Sequence, residues 1–144
     1  PTRALPILPL LGAGPAMLLN TDAVWTGANP LRQLAEAWDG GRMDGLLLLA
    51  KPEQALGHKG AGDFLVDGQG RLARAKGSVA PIYLGAQILR TQGLTAIEQS
   101  AFSLNVLWDQ MIAQGRLYGV FHQGGWCDVG YPEAIPLAES LLHG

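Results

Sequence analysis

The chain has 144 residues, of which 48% are hydrophobic and 15% are charged, and its formal net charge is −2. This composition can form one hydrophobic core and differs from that of disordered chains. Because basic residues are not in excess, nucleic acid and anionic membrane surfaces are disfavoured as partners. The single cysteine, Cys127, excludes an intrachain disulfide and is typical of a reducing compartment, so we expect a cytoplasmic protein. The fully apolar runs are far too short to cross a bilayer.

Residues 15–25, PAMLLNTDAVW, join an apolar run to a polar segment that ends at Asp22. Successive apolar residues predict a strand buried on both faces, as in a parallel sheet covered by helices. Ligands bind just beyond the carboxyl ends of such strands, which is where Asp22 would lie. Aspartate is also a common helix cap, so Asp22 is either a ligand-binding carboxylate or a cap.

A helix and a second strand are predicted next. Residues 30–38 place apolar side chains on one helical face, and Pro30 is acceptable in the first turn of that helix. Residues 45–50, GLLLLA, predict another buried strand. The order strand, helix, strand predicts a right-handed crossover between the two strands.

Residues 62–90 contain a predicted hairpin and a third long strand. The segment 62–72, GDFLVDGQGRL, alternates around a turn at 67–70. The apolar segment 80–89 predicts a strand that Gly85 interrupts. A glycine weakens a strand unless a ligand or another backbone must come close, so Gly85 is a candidate site residue. Residues 104–115 then predict a helix that ends at Gly115.

The last part of the chain carries a second notable carboxylate. Residues 118–122 and 125–129 predict a short hairpin that presents Asp128, and Pro132 can begin a closing helix. We expect His122 in a turn or at the surface rather than as a metal ligand. Asp22 and Asp128 come from distant parts of the chain and together can hold one hard cation, because Mg2+ is bound by one or two carboxylates plus substrate phosphates.

Three motifs in this order resemble the sugar-1-phosphate nucleotidylyltransferase family. They are N-T-D at 20–22, G-D-F-x-x-D-x-x-G-R at 62–71 and W-x-D-V-G-x-P-E at 126–133. The chain is most similar to the branch of bacterial N-acetylmuramate-1-phosphate uridylyltransferases and mannose-1-phosphate guanylyltransferases. Each motif alone is weak, but together they span nearly the whole chain. The resemblance implies a Rossmann-like α/β fold over one domain, 1–144, with a mixed, mainly parallel sheet and helices on both faces.

The resemblance also implies an activity. A nucleoside triphosphate (UTP or GTP) and a sugar 1-phosphate would give a nucleoside-diphosphate sugar and pyrophosphate, with Mg2+ as cofactor. Asp22 and Asp128 are the implied catalytic and metal-binding residues. The implied substrate-binding residues are Asn20, Gly62, Asp63, Lys76, Tyr83 and Gly85.

Two of these residues have alternative interpretations, and a third lies in a motif that departs from the family pattern. Asp63 is equally well explained as a turn residue, and Tyr83 as a core residue whose hydroxyl is hydrogen-bonded. Lys76 lies in Ala75-Lys76-Gly77, where many relatives have Glu-Lys-Pro. The resemblance therefore implies a phosphate-binding role for Lys76, whereas the glutamate that contacts the sugar in relatives is absent from this motif and the sugar specificity stays open.

The glycine-rich nucleotide loop of the family is not found in this sequence. Residues 12–14, GAG, form a short turn before a strand, whereas a phosphate loop follows a strand and opens a helix. Residues 1–11 resemble the helix that precedes the Asp22 strand, so the chain resembles the carboxyl-terminal portion of a nucleotidyltransferase domain without its first strands. We expect this polypeptide alone to bind nucleotide poorly, and its exposed sheet edge to favour a homodimer or aggregation. A non-catalytic nucleotide-sugar-binding or regulatory domain, or a structural fragment, is the alternative.

Overall fold

A computed structural model of the chain describes residues 15–20, 23–56, 61–90, 101–128 and 135–143. The strands within these ranges are β1 (Pro15–Leu19), β2 (Ala23–Trp25), β3 (Gly45–Ala50), β4 (Ala55–Leu56), β5 (Phe64–Val66), β6 (Leu72–Arg74), β7 (Ile82–Arg90), β8 (Leu117–Phe121) and β9 (Trp126–Asp128). The helices are α1 (Pro30–Ala37), α2 (Ala101–Ala113) and α3 (Ile135–His143), with one turn of 3-10 helix at Pro52–Gln54.

The central sheet has the strand order β1-β7-β3-β8. Strand β7 is antiparallel to both of its neighbours, whereas β3 and β8 are parallel. Three of these strands therefore point the same way, and β7 runs in the opposite direction between β1 and β3. The predicted mixed α/β sheet is confirmed, although β7 separates the two strands of the predicted strand–helix–strand unit.

Strand β3 is buried on both faces, as its unbroken apolar sequence predicts. Its leucines alternate between two core clusters on opposite faces of the sheet. Leu47 and Leu49 pack towards α2 with Leu107 and Trp108. On the other face, Leu34 of α1 packs with residues of β3 and β7, which are Leu46, Leu48, Ile82 and Leu84.

Strand β1 departs from its prediction, because only one of its faces is buried. Ala16 and Leu18 join the cluster beneath α2, while Met17 and Leu19 are 45% and 38% exposed. The reason is positional: α1 packs against β3 and β7, and β1 lies at the edge of the described sheet. The expectation of burial on both faces of β1 is therefore wrong.

The predicted hairpin between 118–122 and 125–129 is also wrong. Strand β8 is parallel to β3 in the central sheet, whereas β9 pairs with β2 and β4 in a second, three-stranded sheet. The backbone N–H of His122 donates to the carbonyl of Leu49 and so ends the β3–β8 ladder. Beyond His122 the chain leaves the central sheet, and its next apolar residues, Trp126 and Cys127, are buried in the second one.

The predicted hairpin at 62–72 is confirmed. Strands β5 and β6 are antiparallel, and the carboxylate of Asp67 accepts hydrogen bonds from the backbone N–H groups of Gln69 and Arg71 in the turn between them. Gly70 has φ +88°, which is accessible to glycine without steric cost. The predicted helix end at Gly115 is also confirmed, since that residue follows α2 with φ +68°.

Candidate functional site

A bulge in β7 brings together two of the predicted site residues, Asn20 and Gly85. The β3–β7 pairing shifts by two residues between Leu47 opposite Gln87 and Leu49 opposite Tyr83. Gly85 lies in the extra segment with φ +87°, and its carbonyl accepts a 2.7 Å hydrogen bond from the backbone N–H of Asn20. Bulges of this kind are common beside active sites, because they redirect side chains locally.

The side chain of Asn20 occupies the space that a side chain at position 85 would need. A Cβ built on Gly85 would lie 2.9 Å from Nδ2 and 3.0 Å from Cβ of Asn20. Glycine is therefore required here both by its backbone conformation and by the contact. The group that comes close to Gly85 in the structure is Asn20. The predicted role of Gly85 in substrate binding stays a prediction.

Gly62 and Asp63 lie beside the start of β7. A Cβ on Gly62 would overlap the carbonyl of Ala80. One carboxylate oxygen of Asp63 accepts a 2.9 Å hydrogen bond from the backbone N–H of Tyr83. Both residues thus contact the chain's own backbone. Their predicted contact with a sugar stays a prediction.

The side chain of Tyr83 is partly buried and belongs to a short hydrogen-bonded chain of side chains. Its hydroxyl oxygen accepts a 2.9 Å hydrogen bond from the amide of Gln87, whose own oxygen accepts a 3.0 Å hydrogen bond from the indole of Trp108. Burial raises the pKa of Tyr83 well above its usual value, so the hydroxyl keeps its proton. Sequence reasoning missed Gln87, because a polar residue inside an apolar strand gives no indication of its partners.

Lys76 lies in an exposed turn between β6 and β7. Its φ of +50° is unusual for a residue other than glycine, and Gly77 follows with φ +87°. Such a backbone costs about 1–3 kcal/mol and is found more often at functional sites than elsewhere. The predicted phosphate contact of Lys76 stays a prediction.

The second sheet concerns the two predicted metal ligands. In the antiparallel register of β2 against β9, Ala23 lies opposite Asp128. Asp22 and the side chain of Asp128 lie outside the described residues. Elsewhere in the described part of the chain, no three His, Cys, Asp or Glu side chains are grouped so that they can hold a metal ion.

His122 is buried, with 3% of its surface exposed, so the expectation of a turn or surface position is wrong. The side-chain oxygen of Gln33 accepts a hydrogen bond from the backbone N–H of Gln123, so its amide nitrogen faces Nδ1 of His122. Nε2 of His122 then donates to the carbonyls of Thr26 and Gly125 at 3.0 and 3.2 Å. Both ring nitrogens of His122 are therefore hydrogen-bonded, and the imidazole joins α1 to the turns that precede β9 and follow β2.

Two open clefts lie apart from the predicted substrate-binding residues Asn20, Tyr83 and Gly85. One, of ≈ 380 Å³, is lined mainly by the β5–β6 hairpin and the end of α2. The other, of ≈ 320 Å³, lies between α1 and the end of β8. Asn20, Tyr83 and Gly85 are not among the lining residues of either cleft.

In the described ranges, no helix is long and apolar enough to cross a membrane.

The fold is that of nucleotide-diphospho-sugar transferases. A crystal structure described as a glucose-1-phosphate thymidylyltransferase from Bacillus anthracis superimposes with a TM-score of 0.71 at 13% identity, over 95% of this chain and 58% of the other. The inositol-1-phosphate CTP transferase of T. maritima gives a TM-score of 0.65 at 13% identity, over 96% and 59% of the two chains. No family model matches the sequence.

In sequence and in fold, the chain is similar to sugar-1-phosphate nucleotidyltransferases. One relative in sequence is the N-acetylmuramate alpha-1-phosphate uridylyltransferase of Caulobacter vibrioides, which is 38% identical over 141 residues. The match covers 94% of this chain and 57% of that relative. The chain thus spans little more than half the length of the enzyme that it resembles in sequence.

Proposed function

We propose that the protein is a sugar-1-phosphate nucleotidyltransferase, which makes a nucleoside-diphosphate sugar and pyrophosphate. The observation that carries this proposal is the register of β2 against β9, in which Ala23 lies opposite Asp128. Directly opposed residues of antiparallel strands have Cα atoms about 5 Å apart. Asp22 directly precedes Ala23 in the sequence. The first predicted Mg2+ ligand is therefore the sequence neighbour of the residue that lies opposite Asp128, the second predicted ligand.

The similarity of sequence supports the choice of reaction. The relative from Caulobacter vibrioides is a uridylyltransferase for N-acetylmuramate alpha-1-phosphate, and we propose a nucleoside triphosphate, UTP or GTP, and a sugar 1-phosphate as the substrates here. An ionised phosphate oxygen of the sugar phosphate attacks the α-phosphorus of the triphosphate. Pyrophosphate leaves with the electron pair of the broken bond. Since the attacking oxygen is already ionised, no side chain has to act as a base.

The residues proposed to hold Mg2+ are Asp22 and Asp128. Their carboxylate oxygens are the hard ligands that Mg2+ prefers. When bound, Mg2+ would neutralise negative charge on the reacting phosphates. The protein's own contribution is positioning, since nucleotidyl transfer needs little covalent help from side chains.

Turnover of substrates tests the proposal. Pyrophosphate release would be measured with Mg2+ and each nucleoside triphosphate against hexose, N-acetylhexosamine and N-acetylmuramate 1-phosphates, for this chain and for the full-length protein. We expect Asp22→Asn and Asp128→Asn to lower kcat by about 100-fold or more, because each removes the charge of one of the proposed Mg2+ ligands. Asp39→Asn is the matched control, since Asp39 has a 52% exposed side chain in the loop after α1.

The outcomes separate the enzyme from its alternative. Near-normal activity in either active-site variant would contradict the assigned roles. A folded protein that binds a nucleotide or sugar phosphate without releasing pyrophosphate would instead favour a non-catalytic binding or regulatory domain.

A further inference from the structure

The pairing of β2 with β9 is short, since it runs only from Ala23 opposite Asp128 to Trp25 opposite Trp126. The register of two strands is specified by their buried side chains and by the geometry at their ends, and a slip by one residue turns every side chain to the other face. Such a slip would also remove Asp128 from its position opposite Ala23, the residue that follows Asp22. The placement of the two proposed Mg2+ ligands therefore depends on what fixes this register.

Residues 26–27 and 124–125, which we call the crossing, join the two strands at the end away from Asp128. The backbone N–H of Thr26 donates to the carbonyl of Gly125 at 3.0 Å, and the N–H of Gly125 donates to the hydroxyl of Thr26 at 3.0 Å. A Cβ on Gly27 would lie 2.6 Å from Cα of Gly124, and a Cβ on Gly124 would lie 2.9 Å from Cα of Gly27. The crossing therefore permits no side chain between its two segments.

His122 bridges the two segments of the crossing. Because the hydroxyl of Thr26 accepts the N–H of Gly125, the carbonyl of Thr26 is left for Nε2 of His122, which lies 3.0 Å away. The same Nε2 lies 3.2 Å from the carbonyl of Gly125, so one N–H serves both segments. The imidazole also meets the ring of Trp25 edge to face, with centroids 5.2 Å apart.

The rest of His122 is anchored in the central part of the protein. Its backbone N–H donates to the carbonyl of Leu49 in β3 at 2.8 Å. Its Nδ1 accepts a 2.9 Å hydrogen bond from Gln33 of α1, whose side-chain oxygen accepts the N–H of Gln123 at 2.8 Å. His122 therefore places the crossing, and with it the pairing of β2 with β9, relative to the central sheet.

We propose that His122 and Thr26 are positioning residues, which hold β2 and β9 in the register that the two proposed Mg2+ ligands require. This inference rests on the proposed function for the identity of those ligands, Asp22 and Asp128. It goes further, because neither positioning residue belongs to one of the three sequence motifs. Three residues of strand, about 10 Å, separate the crossing from Asp128, so His122 and Thr26 act through the paired strands and not by contact with the ion.

Binding of Mn2+ to the full-length protein tests this inference. Mn2+ takes the same oxygen ligands as Mg2+, and electron paramagnetic resonance measures its free concentration. We expect His122→Phe, which keeps a ring but loses both nitrogens, to weaken Mn2+ binding by about 10-fold, as is usual for residues that orient metal ligands. Thr26→Val removes only a hydroxyl and should weaken binding by about 3-fold, the value of one hydrogen bond. Thr26→Ser keeps the hydroxyl and should bind Mn2+ like the wild type.

Arg74→Met is the control for a general loss of stability. The guanidinium of Arg74 donates hydrogen bonds to Asp109 and Asn105 of α2, which packs on the opposite face of the central sheet from α1. This variant should lose stability without a change in Mn2+ affinity. A loss of affinity in Arg74→Met as large as that in His122→Phe would overturn the inference.

Asp128→Asn in the same titration separates this inference from the proposed function. If Asp128→Asn bound Mn2+ more weakly than the wild type while folded His122→Phe and Thr26→Val bound it normally, the inference alone would be overturned. Thr26→Val keeps the test decisive if His122→Phe does not fold. If the wild type bound Mn2+ no better than Asp128→Asn, the proposed ligands would be wrong and the inference would fall with them. The expected affinities without pyrophosphate release would uphold the inference and contradict the proposed catalysis.

Discussion

Nδ1 of His122 lies 2.9 Å from the side-chain amide of Gln33, and this contact connects α1 to the turn before β9. Replacing His122 by Ala would leave the Gln33 amide and the carbonyls of Thr26 and Gly125 without their partner in a buried site. We expect the free energy of unfolding to fall by about 3 kcal/mol, which is typical for a buried polar network that loses its central residue.

Denaturant unfolding of matched variants tests this prediction. His143→Ala is the control, because His143 is exposed in the last turn of α3 and a change there should cost less than about 0.5 kcal/mol. Equal stability of the two variants would show that the hydrogen bonds of His122 add nothing to the fold.

We predict that Asp44, which directly precedes β3, stabilises the close approach of the positively charged Arg90 and Arg116. Its carboxylate lies 3.3 Å from Nε of Arg90 and 3.0 Å from Nε of Arg116, and its own side chain is 24% exposed. In Asp44→Asn the two guanidinium groups would remain close without an anion between them. We expect a loss of about 1–2 kcal/mol at low salt that becomes smaller as salt screens their repulsion.

The control for Asp44 is Asp39→Asn, which removes a carboxylate from a single arginine. Asp39 lies 4.0 Å from Arg42 with both side chains more than half exposed, so little change in stability is expected at any ionic strength. Urea unfolding at about 20 mM and about 500 mM NaCl, roughly sevenfold below and threefold above physiological ionic strength, measures both effects. A loss in Asp44→Asn that does not depend on salt would contradict the charge-repulsion account.

Asp67 should make the β5–β6 hairpin sensitive to acid. Hydrogen bonds from the backbone N–H groups of Arg71 and Gln69 hold the pKa of this carboxyl below its usual value of 3.8. Since the folded state binds the proton less readily than the unfolded state, the contribution to stability is present above pH 3.8 and is lost as the pH falls through the lowered pKa.

Carboxyl carbon shifts followed by NMR from pH 6 down to about pH 2 would give the pKa of Asp67 directly, as for other carboxylates in this range. In Asp67→Asn, the free energy of unfolding should fall less between pH 6 and about pH 2 than in the wild type, because this carboxyl no longer titrates. The hairpin should persist at neutral pH. A carboxyl of Asp67 that titrates at or above 3.8 would contradict the prediction.

The sequence predicted those elements whose pattern depends only on local chain properties. The leucine run of β3, the turn at Asp67 and the helix end at Gly115 each follow from hydrophobic periodicity or turn chemistry. Gly85 was also identified, because a glycine in a strand is unusual enough to require a structural reason.

The errors concern contacts between distant segments. The single-sided burial of β1 depends on where α1 packs, and α1 packs on β3 and β7 instead. The pairing of β9 with β2 rather than β8 is a long-range choice that no local pattern specifies. His122 and Gln87 are buried polar residues that each have a hydrogen-bond partner far away in the sequence, so their roles emerge only from the folded chain.

Gly85→Ala should damage both the fold and the candidate site. An alanine at φ +87° costs about 1–2 kcal/mol in backbone strain, and its Cβ would lie 2.9 Å from the side chain of Asn20. Asn20 would have to move, and its 2.7 Å hydrogen bond to the carbonyl of residue 85 would be distorted. We expect a loss of about 2 kcal/mol in stability together with weaker binding of sugar 1-phosphate.

Gly68→Ala provides the matched control, because a Cβ on Gly68 has no neighbour within 4 Å and its φ is not in the left-handed region. That variant should unfold at nearly the same denaturant concentration as wild type and bind ligands equally well. Unfolding curves and calorimetric titration of both variants measure the two effects separately. If Gly85→Ala lost stability but bound the sugar phosphate normally, the contact between Asn20 and the bulge would support only the fold and not the site.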